Sequence, residues 1–427
     1  MKLITNFNLC IFAFLTFLYF YQFLYIVLAL FGEKRKDHFN KDAKKQHRFA
    51  ILISARNEGF VISNLIQSIK QQNYPLELID VFVVADNCID NTAEISRKAG
   101  AIVYERFDDK LIGKGYALDY VFGCISKDYG SVEVYDGYFI FDADNIIDKN
   151  YVYEMNKVFD SGYRVITSYR NSKNYDTNWI TAGYSLWFLR EAKFLNNPRM
   201  MLNTSCTVSG TGYLVSSEII KKNKGWKYYL LTEDVEFSAA NIIEGEKIGY
   251  CEKAILYDEQ PTTFSQSWSQ RIRWTKGFYQ VMFKYGIVLI GTIFKKKERS
   301  TSCYDMLMML VPATLLSLIC IPINLLFLGY ELSKPMMISY LVPYVINSMA
   351  FSFISSYILL FSMGIITTIT EWQQIHCSSI KKILYLFSFP IFVFTYIPIS
   401  IVALFKNVKW TPIAHSVIKT IDDVQND

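Results

Sequence analysis

Residues Leu9 to Phe31 read LCIFAFLTFLYFYQFLYIVLALF, a stretch of about 23 residues with no charged side chain, long enough to cross a hydrocarbon core of roughly 30 Å as a helix. Three further apolar runs follow Ser300, near Met306 to Leu328, Met336 to Thr370 and Ile383 to Phe405. A chain so bracketed cannot fold as one water-soluble globule, so membrane helices on either side of a polar middle are expected. A cleaved signal peptide would have a shorter apolar core and a small-residue cleavage site, whereas Phe31 is followed by Gly32, Glu33 and a basic run. The first stretch therefore reads as an anchor.

Lys34, Arg35, Lys36, Lys41, Lys44, Lys45 and Arg48 follow that anchor, and an excess of Lys and Arg beside a span marks the cytoplasmic face. The expectation is a multi-pass protein of the plasma membrane with a cytoplasmic polar domain and the N-terminus outside. The basic run is read as a linker against anionic lipid heads rather than a nucleic-acid site, since no reader motif accompanies it. Lys381 and Lys382 place the joint before the last run inside, while Pro390 and Pro398 interrupt that run as in a broken or re-entrant helix. Its topology stays open. Eight cysteines without a C-x-x-C pair read as reduced thiols. The resulting division is an N-terminal transmembrane helix (1–33), a basic linker (34–48), a catalytic domain (49–260), interfacial helices (261–300), a C-terminal transmembrane region (301–405) and a short tail (406–427).

The polar middle, Arg48 to Tyr285, is about 240 residues, ample for one core. Its first half is rhythmic. Apolar runs at Phe49–Ile53, Leu78–Val84, Ala101–Tyr104 and Tyr138–Phe141 alternate with helical patterns at Glu58–Gln71, Thr92–Ala99 and Gly113–Cys124. Such alternation predicts an α/β fold with a mostly parallel sheet and flanking helices. Ligands of such sheets gather beyond the carboxyl ends of the strands, where Asn57-Glu58, Asp86 and Asp142-Ala143-Asp144 all fall.

Asp142 and Asp144 are spaced so that both would face one way on an extended segment, and hard carboxylate oxygens suit a divalent cation that offsets a departing diphosphate. A lone D-x-D also occurs in solvated turns. The histidines, His38, His47, His376 and His415, are read as lying outside the soluble core, which argues against histidine-zinc sites and Ser-His triads there and leaves a carboxylate as the natural base. Asp234, in Thr232-Glu233-Asp234 before a helical stretch (Val235 to Ile243), is the candidate base; plain N-capping is the alternative. In Gln270-Arg271-Ile272-Arg273-Trp274, Arg273 offers a fork of donors to phosphate and Trp274 a flat face to a sugar, with Gln270 one helical turn away. An interfacial amphipathic helix is the other reading.

Asp86 in VVADNC, Asp142-Ala143-Asp144, Ser209-Gly210-Thr211-Gly212, Thr232-Glu233-Asp234 and the Q-x-x-R-W motif together resemble those of the processive family 2 glycosyltransferases: the cellulose, chitin, hyaluronan and poly-N-acetylglucosamine synthases. The resemblance implies a GT-A type fold. It implies that Asp86 and Lys114 meet the nucleotide, that Asp142 and Asp144 bind UDP with Mg2+ or Mn2+, and that Asp234, beside Glu233, deprotonates the acceptor. Arg273 and Gln270 would hold the diphosphate, and Trp274, Gly210, Thr211 and Gly212 the acceptor sugar. The implied partners are a UDP-sugar, a growing polysaccharide and the lipid bilayer, without nucleic acid. The implied reaction is inverting polymerisation of a β-linked glycan passed across the membrane, with UDP-glucose the leading donor. A UDP-N-acetylglucosamine polymerase and a transferase adding one sugar to a lipid carrier are the alternatives. Ala85-Asp86 departs from the paired aspartates of many relatives, and Lys409-Trp410-Thr411 resembles an element after the last membrane segment of hyaluronan-type relatives, favouring a cytoplasmic tail.

Overall fold

The computed structural model of the chain describes residues 2–32, 42–311, 322–330, 333, 338–413 and 415–426. After helix α1 (Lys2–Phe31), the chain enters β1 (Phe49–Ala55), α2 (Ile62–Lys70), β2 (Ile79–Asp86), α3 (Thr92–Lys98), β3 (Ile102–Arg106), α4 (Lys114–Tyr129) and β4 (Gly137–Asp142). β1 pairs in parallel with both β2 and β4, and β2 with β3. Helices cover both faces of these strands, so their inner residues are apolar without alternation. Ala50, Leu52, Phe82 and Val84 pack with Leu118, Val121 and Phe122 of α4 on one face; Phe49, Ile51, Ile53 and Val83 pack with Leu65, Ile66 and Ile69 of α2 on the other. The expected α/β arrangement is the one observed.

The second half is less regular. β5 (Ile146–Ile147), α5 (Tyr151–Asp160), β6 (Val165–Ser172), α6 (Trp179–Glu191), α7 (Asn197–Met201), β7 (Tyr213–Ser216), α8 (Ser217–Asn223), α9 (Glu233–Glu244) and β8 (Ile248–Asp258) complete one eight-stranded sheet, ordered β3-β2-β1-β4-β7-β6-β8-β5. β7 runs antiparallel to both β4 and β6, and β5 to β8. A π-helical turn over Ala192–Asn196 joins α6 to α7.

Beyond the sheet lie α10 (Phe264–Lys295), α11 (Lys297–Leu310), α12 (322–330), α13 (Ile338–Thr370), α14 (Ser379–Phe394), α15 (Tyr396–Phe405) and α16 (Ile421–Asn426). Among the described residues, four helical stretches are long and apolar enough to cross a membrane: Thr5–Phe31, Phe264–Lys295, Pro343–Thr370 and Ser379–Phe405. α10 was not among the runs expected to span; its second half carries the exposed Phe283, Ile287 and Phe294. Residues 312–321 of the run expected over Met306 to Leu328 lie outside the described residues, as do Lys34, Arg35, Lys36, His38 and Lys41. The described end of the basic linker is fastened to the catalytic domain instead of standing free: Lys45 pairs with Asp136 at 2.9 Å and Arg48 with Asp80 at 2.9 Å.

The α14–α15 pair meets the catalytic domain at its start and α10 at its end. Lys381 contacts Asp176 at 2.9 Å near the start, and the Leu404 carbonyl accepts from Lys276 at 3.3 Å near the end. Between them Phe392 lies so close to Gly183 that an added Cβ would stand 2.4 Å from the ring. This segment therefore packs along the domain.

A buried charge ties α1 to this assembly. Arg199 forks onto Asp305 at 2.7 and 2.9 Å, and the Tyr21 and Tyr25 hydroxyls donate to the same carboxylate. Both charged side chains are 3% exposed. Removing one member of such a pair strands the other without water. Asp305→Ala is therefore expected to destabilise the protein by about 3–5 kcal/mol, read as a lowered unfolding midpoint of the detergent-purified chain.

Candidate active site

The carboxyl ends of β1, β2 and β4 open on one side of the sheet, at the point where the strand order turns back from β1 to β4. Asp142 closes β4, and its Oδ1 meets Lys114 Nζ at 2.5 Å. Lys114 is the first residue of α4, entered through Gly113 at φ 139°, and it also donates to the Gly210 carbonyl at 2.7 Å. Gly115 lets α4 sit against the Tyr228 carbonyl, which a Cβ would meet at 2.1 Å. Lys114 is thereby held at the centre of the acidic residues, with Asp142, Glu233 and Asp234 outweighing the effect of burial and keeping it charged.

Glu233 and Asp234 open α9. Thr232, the residue before α9, makes no side-chain capping bond, and its hydroxyl is buried without a partner. Burial pushes the Asp234 carboxyl above the usual aspartate range, while the amides of Val235 and Gly210 and the Lys114 charge pull it back. Glu233 is raised as well, by burial and by the adjacent Asp234 charge. Groups shifted in this way cluster at sites of proton transfer. Arg273, from α10, lies within electrostatic reach of Glu233, Asp142 and Asp234, so carboxylates distant in sequence act on the same two cations.

Asp144 departs from the expected geometry. The chain turns at Ala143-Asp144 instead of continuing extended, with the Asn145 amide bonded to the Asp142 carbonyl at 3.2 Å, so the two-residue alternation no longer governs. Asp144 is buried and accepts the Glu259 amide at 2.8 Å. His415, Lys173 and Arg170 hold its carboxyl below the usual range despite burial.

The histidine reading is corrected by the same region. His415 lies in the tail, but the tail folds back, and the imidazole Nδ1 stands 2.9 and 3.1 Å from the Glu58 carboxylate. Burial alone would lower its pKa; Asp144, Glu58 and Glu259 outweigh that and push it up to about 10. His47 is likewise packed into the domain, 3.2 Å from Asp160. Trp410 lies under both Arg56 and Arg273, 5.4 and 5.6 Å from ring centre to guanidinium, and the Thr411 carbonyl accepts from Arg273 at 2.8 Å. A cleft of about 530 Å³ separates tail from α10, lined by Gln266, Gln270, Arg273, Thr411 and Ile413 among others; the Gln270 side-chain oxygen is buried there without a partner.

Other expected residues are placed differently. Asp86 is buried in an ion pair with Arg106 at 2.6 Å. Gly210, at φ 76°, borders Asp234. Thr211 sits beneath the turn, accepting the Asp142 amide at 2.9 Å. Gly212 is deeper still, its carbonyl bonded by Tyr151 and Ser168, and a Cβ there would collide with Leu256. Trp274 packs among Tyr184, Phe188 and Phe392. Sequence reading missed Arg170, which pairs with Asp258, donates to the Ser209 carbonyl at 3.0 Å and covers the Phe188 ring at 3.8 Å. It also passed over Glu259 and His415. None lies in a local motif.

Residues 47–277 match the family model described as glycosyltransferase like family 2. Among curated proteins, a probable glycosyltransferase, YdaM, of Bacillus subtilis is 25% identical over 62% of this chain and 63% of its own length. A beta-monoglucosyldiacylglycerol synthase of Nostoc is 25% identical over 67% and 60%, and a poly-beta-1,6-N-acetyl-D-glucosamine synthase of Staphylococcus epidermidis 22% over 56% and 58%. The chain thus spans less than two thirds of these relatives. Among solved structures, the mannosyltransferase PcManGT of Pyrobaculum calidifontis aligns over 79% of this chain and 97% of its own, at 14% identity and a TM-score of 0.48.

Proposed function

Because the chain belongs to glycosyltransferase family 2, we propose that it transfers sugar units from a UDP-sugar with inversion, extending a β-linked glycan at the cytoplasmic face of a membrane, with UDP-glucose as donor. The observation carrying this reading is the set of charges about the carboxyl end of β4, where Lys114 bonds Asp142 and the Gly210 carbonyl, with Glu233, Asp234 and Arg273 within electrostatic reach. Asp86 and Arg106 lie at the end of the neighbouring strands, where the nucleotide would rest. Asp234 takes the proton from the acceptor hydroxyl as its oxygen attacks the anomeric carbon. The bond from that carbon to the diphosphate breaks on the opposite face, and Arg273 and Lys114 offset the charge gathering on the leaving phosphates.

Asp142 and Asp144 present the hard oxygens that Mg2+ or Mn2+ prefers. Among the described residues no group of three or more His, Cys, Asp or Glu side chains could hold an ion alone. That suits an ion taking one or two carboxylates and completing its shell from substrate phosphates. When bound, it would neutralise the diphosphate.

The Nostoc relative's name favours a second reading, transfer of one glucose to a lipid acceptor. The helices that would cross the membrane, and the tail's return to the catalytic domain, support placing acceptor, site and C-terminal tail at one membrane surface. The test is incubation of the purified chain with UDP-glucose or UDP-N-acetylglucosamine, Mn2+ and membrane lipid. UDP release with high-mass, β-glucanase-sensitive product is expected. One sugar per lipid would support the second reading, and no UDP release from any UDP-sugar would refute both.

A further inference from the structure

Glu259 faces two ways. Its backbone amide donates to Asp144 Oδ2 at 2.8 Å, while its carboxylate points back and accepts the Ser416 amide at 3.0 and 3.2 Å and the Val417 amide at 3.0 Å. The residue is 8% exposed, and a carboxylate so far from water stays in place only while hydrogen bonds satisfy it. Two tail amides do so here, with Lys173 4.0 Å from the same carboxylate. Further along, Ile421 and Val424 pack against Ile146 and Tyr257, which are paired across β5 and β8. Ile146 is only two residues beyond Asp144. His415 in turn meets Glu58, just beyond the carboxyl end of β1. Tail contacts thus reach the residue that bonds Asp144, the strand that follows its turn, and Glu58.

We infer that the C-terminal segment from His415 to Val424 positions Asp144 for donor binding, acting through Glu259, so that Glu259, His415 and Ile421 are positioning residues of the donor site. The inference rests on the donor reading above. A tail that merely packed at the sheet edge would contribute to stability alone. A tail that sets the Asp144 carboxylate contributes to affinity for the nucleotide diphosphate.

The test uses the full-length purified chain and three variants, Glu259→Gln, His415→Ala and Ile421→Asp. UDP affinity is measured by calorimetry with Mn2+ present, donor KM and kcat are measured separately, and tail release is followed by tryptic cleavage at Lys419. The expected result is a rise of about tenfold in the UDP Kd and in donor KM for each variant, a smaller fall in kcat, and faster cleavage in Ile421→Asp, with cleavage of the wild type slowed by UDP. If Ile421→Asp frees the tail and UDP still binds within twofold of wild type, the positioning role is overturned while the donor reading stands. If the wild type itself binds no UDP, the donor reading falls, and this inference with it.

Discussion

Asp234→Asn is expected to lower kcat by about 10²–10⁴-fold, the range a positioned base supplies, with donor KM changed little. The substitution keeps the shape of the side chain and can still accept from the Gly210 amide, but it cannot take a proton. The pH profile carries the same claim. Burial raises the Asp234 carboxyl above the ordinary aspartate value, so the ionised form that accepts a proton is lost at a higher pH than for an exposed aspartate. Wild-type kcat/KM should therefore fall as pH drops through that raised value, and the acid limb should be absent from the residual activity of the variant. Initial rates of UDP release across pH check both statements. Wild-type turnover by Asp234→Asn would remove Asp234 from the chemistry.

Asp144→Ala is expected to abolish detectable turnover, a loss of more than about 10³-fold, comparable with removal of a main electrostatic group. Asp144 is the buried anion facing His415, Lys173 and Arg170, and its loss leaves three cations around the place where a divalent ion and diphosphate would sit. Binding of free Mn2+ in the presence of UDP, read by electron paramagnetic resonance, should weaken in parallel, which separates loss of the ion from a slower chemical step. Folding is checked by the unfolding midpoint. Normal product from the variant would refute the metal assignment.

The first, second and fourth strands were legible because parallel strands covered on both faces leave contiguous apolar runs, and FAILISA and GYFIFD are such runs. Beyond Asp142 that signal fails. β5 is two residues and β7 four, too short to show a period, and β6 ends in polar residues that serve the site. The helix expected from Glu58 begins at Ile62 because Asn57, at φ 58°, turns the chain first. Motifs built on one helix, Glu233-Asp234 and Gln270 to Trp274, could be found by spacing. Arg170, Glu259 and His415 could not, because what makes them notable is a partner more than 80 residues away in each case. The alternation that placed Asp142 and Asp144 on one face failed for a local reason, the turn between them.

The wide turn at Ala192–Asn196 carries one residue more than an ordinary helical ladder would hold. Deleting a single position there would let the ladder close as a regular helix with little change of phase, whereas a residue added between the wide turn and Arg199 would rotate everything downstream by about 100° about the axis. Arg199 would swing away from Asp305, and the anchor helix would lose the clasp that joins it to the catalytic domain. Length at this spot is thus a phase setting: the number of residues, more than their identity, decides whether the two halves of the molecule mesh.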